Sequence, residues 1–163
     1  FNAFYVFSHM FRHFLYEGVG IRQLCDWMML LHKRRGHIDT EALRELVVSM
    51  DLMKPWQTFG CLLVDLMGLP AEEFPLYDPK YSGLVDKVAK RILDEGNFGK
   101  KRNIFKNKGE SYVINKARSF FSHFVRVYEL FSIFPKHAFR QLWHTLAESM
   151  KRVRMDMKNL LYL

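Results

Sequence analysis

The sequence predicts an all-α fold, a single bundle of about seven helices. Apolar residues recur three or four positions apart through most of the chain, no stretch alternates as a strand does, and glycine or proline stands at most expected helix ends. With 163 residues, 49% of them hydrophobic, the chain is long enough to bury a core as one helical domain over residues 1–163.

The first two predicted helices are joined by a glycine-rich turn. Helix one covers about residues 1–16 and helix two about residues 21–35, and Gly18 is placed to end the first helix in the left-handed conformation. The residues expected to be buried are Phe4, Phe7, Phe11, Phe14 and Leu15 in helix one and Ile21, Leu24, Cys25, Met28 and Leu31 in helix two.

Three further helices are predicted before residue 96. Asp39 is expected to cap helix three, helix four begins near Pro55 and ends at Gly68, and helix five covers about residues 81–95 after an irregular crossing over residues 70–79. The residues expected to be buried are Leu43, Leu46, Val47, Met50, Trp56, Phe59, Leu62, Leu63, Leu66, Leu84, Val85, Val88 and Ile92.

The last third of the chain is predicted to hold a basic loop and two helices. Residues 96–109 form the loop, helix six covers about residues 112–134, helix seven opens at Pro135, and the tail from Asp156 is poorly specified. The spacing of apolar residues predicts buried positions at Ile114, Ala117, Phe121, Phe124, Tyr128 and Phe131 in helix six and at Phe139, Leu142, Trp143, Leu146, Met150 and Val153 in helix seven.

The excess positive charge lies entirely in this last part. Residues 1–95 carry 11 Lys and Arg against 13 Asp and Glu, whereas residues 96–163 carry 14 against 4. Such asymmetry suggests nucleic acid or another acidic surface as a partner, or else a solvated basic face. The candidate polyanion-binding residues are Lys100, Lys101, Arg102, Lys106 and Lys108.

Several functional classes find no support in the sequence. There is no phosphate-binding loop, dinucleotide fingerprint, nucleophile elbow, paired-cysteine metal motif or pair of aspartates one residue apart. No apolar run is long enough to span a membrane and no secretory signal opens the chain. Because Cys25 and Cys61 lie in apolar helical contexts, we expect reduced cysteines in a cytoplasmic protein that itself holds no metal or cofactor.

Four polar residues near the glycine turn are candidate ligand-binding residues. His9 and His13 share one helix face, where they either contact neighbouring side chains, line a ligand cleft or, with further ligands, bind a metal. Arg22 completes an anion site at the start of helix two, or forms an ion pair with Asp26. Asp26 stands on or beside the apolar stripe, so we expect it to be partly buried and paired.

The stretch FRHFLYEGVGIRQLCDWMMLLHKRRG resembles the C-terminal helical region of an uncharacterised nucleotidyltransferase-like family found in bacteria. The matching pieces are His9 and His13 on the first helix, then Gly20-Ile21-Arg22 and Asp26-Trp27 on the second. The segments GLPAEEFPLYD and FPKHAFRQLW are similar to later helices of the same family, so the resemblance covers most of the chain.

The resemblance implies that a nucleotidyltransferase-fold module, with a phosphate loop and metal-binding aspartates, lies upstream and binds NTP and Mg²⁺. The chain also starts inside a helical pattern with no preceding cap, so we expect it to be the C-terminal part of a longer protein. On this hypothesis the helices orient nucleotide or acceptor. The alternative is a non-enzymatic helical module that binds nucleic acid or an acidic partner through its basic C-terminal half.

Overall fold

The computed structural model describes residues 2–96 and 125–161, and the regular structure in these ranges is helical throughout. Seven α-helices and two short 3₁₀ helices occur there and no strand, which confirms the predicted all-α fold. The α-helices are α1 (Asn2–Tyr16), α2 (Ile21–Lys33), α3 (Thr40–Ser49), α4 (Met53–Met67), α5 (Val85–Glu95), α6 (residues 125–131) and α7 (Pro135–Leu161). The 3₁₀ helices are Ala71–Glu73 and Pro79–Leu84, and the chain divides into two compact units, Phe1–Gly109 and Glu110–Leu163.

An aromatic cluster fills the core of the first unit. Phe7 of α1 is fully buried, and its ring centroid lies 5.1 Å from that of Trp27 in α2 and 5.0 Å from that of Trp56 in α4. Phe59, on the same face of α4, meets Phe7 edge-on at 5.8 Å. Such tilted and edge-to-face pairs each add about 0.5–1.5 kcal/mol beyond the apolar area that they bury. The cluster therefore holds α1, α2 and α4 together.

Both buried indoles of this cluster use their N–H groups as anchors. Trp27 Nε1 donates to the carbonyl of Ala3 at 3.1 Å, and Trp56 Nε1 donates to the carbonyl of Pro75 at 2.8 Å. A buried indole N–H without a partner is costly, so these bonds fix where each ring can lie. The second bond also ties the crossing segment between α4 and α5 onto the core, where Phe74 contacts both indoles.

Some predicted helix ends are confirmed and others need correction. Asp39 caps α3 by accepting from the backbone N–H groups of two residues, and Gly68 ends α4 in the left-handed region with φ of 77°. The helix predicted from Tyr81 is α-helical only from Val85, because Asp78 and Pro79 start a 3₁₀ helix that runs to Leu84. Helix four begins at Met53, two residues before the predicted start.

In the first unit, three residues that were expected to be buried are exposed. Ile21, Met50 and Leu66 stand at the first turn of α2, just after α3 and in the last turn of α4. Periodicity assigns a residue to a face of its helix, but a terminal position on that face needs a neighbouring element long enough to cover it. Cys25, Met28 and Leu46 are half-buried for the same reason, since they border the covered stripe.

The second unit corrects the predicted packing of helix six. In α6 the buried residues are Val127 and Leu130, whereas Tyr128 and Phe131 are exposed. The helix also ends at residue 131, three residues before the predicted end. Apolar residues surround nearly the whole of this helix, so sequence spacing alone cannot select the inward face. The poorly specified tail is helical, since α7 continues to Leu161.

One buried ion pair was not predicted from the sequence. Arg91 and Glu95 of α5 have side chains that are 3% and 2% exposed, and their charged groups are 3.5 Å apart. The guanidinium of Arg91 lies over the Phe14 ring at 5.1 Å and donates to the Phe14 carbonyl at 3.5 Å. Such a pair is tolerated in the core because both charges are paired, and it joins α5 to α1.

The close approach of α4 to Phe74 yields a stability prediction. A Cβ added at Gly60 would lie 2.7 Å from Phe74 Cζ, inside the aromatic cluster. We expect Gly60→Ala to lower the free energy of unfolding by about 1–3 kcal/mol, because the ring cannot retreat without disturbing both indoles. Urea denaturation followed by circular dichroism measures this change. Gly83→Ala is the matched control, since nothing lies within 4 Å of its added Cβ; an equal loss in both variants contradicts the packing argument.

Candidate functional site

A chain of polar contacts runs along the outer face of α1. His9 and His13 are one turn apart, and their Nε2 atoms are 3.0 Å from each other with the rings nearly perpendicular. His13 Nδ1 lies 2.8 Å from a carboxylate oxygen of Glu17, one turn further on. Tyr5 stacks on His9 from the other side at 6.4 Å. The 3.6-residue period therefore turns a sequence stripe into a continuous row of four side chains.

The protonation of the histidine pair follows from its partners. A carboxylate only accepts hydrogen bonds, so His13 donates from Nδ1 to Glu17; in the neutral ring its Nε2 then carries the lone pair that accepts from His9. The opposite face of α1 is locked into the core by Phe7 and its neighbours. The polar row is thereby held on a rigid element, with the side chain of His13 only 17% exposed.

Arg22 and Asp26 form a separate pair at the start of α2. The Nε of Arg22 lies 3.9 Å from an Asp26 carboxylate oxygen, and the two side chains are 93% and 71% exposed. The expectation that Asp26 is partly buried is therefore wrong: the residue faces solvent, while Trp27 beside it takes the inward position. An ion pair at this exposure contributes little to stability.

The turn before α2 is occupied by its own groups. The Gly20 N–H donates to the Gln23 side chain at 3.0 Å, and the neighbouring Val19 is fully buried. The Arg22 side chain is 93% exposed and packs against almost nothing. Of the four candidate residues, His9 contacts His13 and Arg22 contacts Asp26. Ligand binding by these four residues stays a prediction.

Neither the predicted basic loop nor Cys61 contributes a site among the described residues. The five basic residues of the predicted loop, Lys100, Lys101, Arg102, Lys106 and Lys108, lie outside the described residues. Cys61 is buried, its thiol donates to the Asp78 carbonyl at 3.3 Å, and burial together with the nearby Asp65 raises the pKa of that thiol. A thiol with a raised pKa and no access to solvent is a packing residue rather than a nucleophile.

A groove that sequence analysis did not identify lies between the start of α1, the end of α2 and the start of α3. Its volume is about 330 Å³, its floor includes Phe4 and Leu43, and Arg34 and His37 stand at its rim. Asp39, also in its wall, is occupied as the cap of α3. The only sequence signal was the apolar pair Ile38 and Leu43, which flank that cap and are typical of local packing rather than of a groove.

The largest departure from the predicted packing is an exposed apolar stripe on α7. Phe139, Trp143, Leu146 and Met150 follow one another at intervals of four, three and four residues, and each is 45–66% exposed. These residues were expected to be buried. Among the α7 side chains that the structure describes, the buried ones are instead Ala138 and Gln141, on the neighbouring face of the helix. The spacing correctly placed these residues on one helix face, but that face is exposed and not buried as predicted.

Comparison of the chain with protein-family models, with curated proteins and with solved structures finds no match in any of the three. Within the described ranges, no three histidine, cysteine or carboxylate side chains come together as a metal-binding group. Across the same residues, no helix combines the length and the apolar character that crossing a bilayer requires. The features that bear on function are therefore the histidine row and the stripe on α7.

The exposure of Asp26 leads to a second prediction. We expect Asp26→Ala to change the free energy of unfolding by no more than about 0.5 kcal/mol, because an exposed carboxylate leaves no buried charge behind when it is removed. Chemical denaturation of the wild type and the variant measures the difference. Glu95→Ala is the contrasting variant, since it strips a buried guanidinium of its partner. A loss of 2 kcal/mol or more in Asp26→Ala would show that the carboxylate is structurally engaged.

Proposed function

We propose that this chain is a non-enzymatic helical interaction module, and that α7 docks into an acidic, apolar-lined groove of a partner protein. The observation that supports this proposal is the exposed stripe formed by Phe139, Trp143, Leu146 and Met150. Folded domains rarely expose a continuous row of large apolar residues without a binding role. The intervals within the row are those by which a helix presents anchors to a groove.

The charge beside the stripe indicates the character of the partner. Lys136, Arg140 and Lys151 are exposed, and their positions in the helical repeat place them along the side of the stripe away from the buried Ala138. The chain from residue 96 onward has a net charge of +10. A groove that covers the apolar row and carries carboxylates on its rim gains both burial and charge complementarity. Aromatic residues, methionine and arginine are also the residues that interfaces enrich.

A protein groove fits the stripe better than nucleic acid or a membrane surface. Trp143 offers a ring on which a base can stack, but Leu146 and Met150 gain nothing from a phosphate backbone. A helix that lies on a bilayer needs its whole apolar side free, whereas α7 already buries Ala138 and Gln141 beside the stripe. Nucleic acid and an anionic membrane are therefore outcomes that the experiment must distinguish from the proposal.

A nucleotidyltransferase role is a second proposal, supported by the resemblance of the first two helices to a bacterial family. On that proposal His9, His13, Arg22 and Asp26 orient the nucleotide or acceptor for an upstream module that binds NTP and Mg²⁺. Sequence encoding a Gly-Ser phosphate loop and paired aspartates before this segment would support it, and an unrelated upstream domain would contradict it. A cytoplasmic location belongs to both proposals and is supported by the free thiols of Cys25 and Cys61.

The docking proposal predicts binding to a model acidic groove. Calcium-loaded calmodulin offers an acidic surface around a methionine-rich apolar groove, and we expect the chain to bind it with a blue shift in tryptophan emission. Trp143 reports this shift because the other two tryptophans, Trp27 and Trp56, are fully buried. We expect Trp143→Ala to weaken binding about 30-fold in calorimetry, corresponding to the ~2 kcal/mol typical of an interface hot spot.

Leu66→Ala is the control, because Leu66 is also a large, exposed apolar residue but lies on α4. Equal weakening by both variants, or no binding by the wild type, contradicts the proposal. Duplex DNA and phosphatidylserine vesicles are titrated in parallel. Binding to DNA that falls steeply with salt and is unaffected by Trp143→Ala would favour a nucleic-acid role. A dimer in sedimentation that Leu146→Glu dissociates would assign the stripe to a second copy instead.

A further inference from the structure

We propose that His9 and His13 form a two-histidine site for a late first-row divalent cation, which Cu²⁺ occupies most tightly. This inference is independent of docking through α7. It rests on three observations on the outer face of α1: the closeness of the two Nε2 atoms, the carboxylate behind one ring and the stacked ring behind the other. Imidazole nitrogen is a preferred ligand for copper, nickel and zinc ions.

The distance between the two nitrogens suits a shared cation. Metal–imidazole bonds are about 2.0–2.1 Å long, so two nitrogens at right angles around one ion are about 2.9 Å apart and two at the tetrahedral angle about 3.4 Å. The observed separation of the Nε2 atoms is 3.0 Å, between these values. Binding breaks the present hydrogen bond, because both rings must turn until their lone pairs converge on the ion.

The carboxylate of Glu17 fixes which nitrogen of a neutral His13 ring faces the metal. With Nδ1 donating to Glu17 at 2.8 Å, the neutral ring has its lone pair on Nε2. Carboxylate–histidine pairs of this kind orient metal-bound imidazoles and raise their basicity. On binding, the cation replaces the Nε2 proton that His9 donates now; that proton is released to water, and His9 takes one from water at Nδ1, so the histidine pair undergoes no net change in protonation.

Two further features define the site: the ring stacked on His9 and the number of protein ligands. Tyr5 stacks on the His9 ring with an interplanar angle of 10°, which limits the orientations that this ring adopts. The Glu17 carboxylate is held on Nδ1 of His13, and no group of three metal-ligating side chains is found in the described ranges, so the proposed site has two protein nitrogens and water at its other positions. The site is thus open, and a cation held there keeps positions that the donor atoms of a small ligand can take.

The experiment titrates the full chain with CuCl₂ by calorimetry in a non-coordinating buffer and repeats it with NiCl₂ and ZnCl₂. We expect Cu²⁺ to bind most tightly, following the Irving–Williams order, and its electron paramagnetic resonance spectrum to show two nitrogen ligands. His13→Ala should reduce Cu²⁺ affinity by at least the 10–100-fold that loss of an outer partner typically costs. Glu17→Ala, which removes only that outer partner, should weaken binding about 10-fold.

His32→Ala is a matched control. The Nδ1 of His32 also lies against a carboxylate, that of Glu73 at 2.6 Å, but its Nε2 faces the Arg35 guanidinium at 3.4 Å, which repels a cation. We expect this variant to bind Cu²⁺ as the wild type does. Unchanged affinity in the double variant His9→Ala/His13→Ala, equal loss in His32→Ala, or a spectrum with fewer than two nitrogens in the wild type overturns the proposal. Thermal unfolding of each variant verifies that the helices remain folded.

Discussion

The contact of Phe7 with Trp27, Trp56 and Phe59 is the constraint on which the first unit depends. Helices α1, α2 and α4 meet at this cluster, and the two indole N–H groups fix its orientation by bonding to backbone carbonyls at its ends. Because the rings of three helices pack against one another in tilted and edge-to-face pairs, one helix cannot slide without separating several pairs. The crossing segment after α4 is held by the same rings and the Trp56 hydrogen bond, which accounts for its order despite its irregular backbone.

The inner face of α1 determines what its outer face can do. Once Phe7 and Phe14 are packed, the helical repeat points His9, His13 and Glu17 outward in a row. Residues four positions apart on a helix have side-chain bases about 5–6 Å apart, so the two imidazoles can reach each other. Glu17 orients the ring of His13, and Tyr5 stacks on that of His9. The proposed cation site is thus a consequence of the aromatic core behind it.

The two units use apolar residues differently. In the first unit most large rings are buried, and the buried charges of Arg91 and Glu95 are paired. In the second unit α7 buries a narrow face at Ala138 and Gln141 and leaves Phe139 and Trp143 exposed. A helix with one face packed and a second apolar face in solvent can still bury that second face against a partner. On the docking proposal, an acidic groove covers it.

The sequence by itself determined the helices, their order and several of their ends. Glycine at position 68 and aspartate at position 39 have local backbone and side-chain roles, so their effects could be read without knowledge of the rest of the chain. The spacing that placed His9 and His13 on one face is equally local, and so was the ion pair between Arg22 and Asp26. These features depend on residues within about one helical turn.

Tertiary structure alone decided which apolar faces are covered. Phe7 and Trp143 both belong to apolar rows with helical spacing, yet Phe7 is buried and Trp143 is exposed. Burial depends on whether an element distant in sequence packs against the row. For the same reason the sequence misplaced Asp26 and the inward face of α6, and gave no sign of the groove beside α3 or of the buried pair of Arg91 and Glu95. Periodicity fixes the direction of a side chain relative to its own helix, and only packing fixes what lies in that direction.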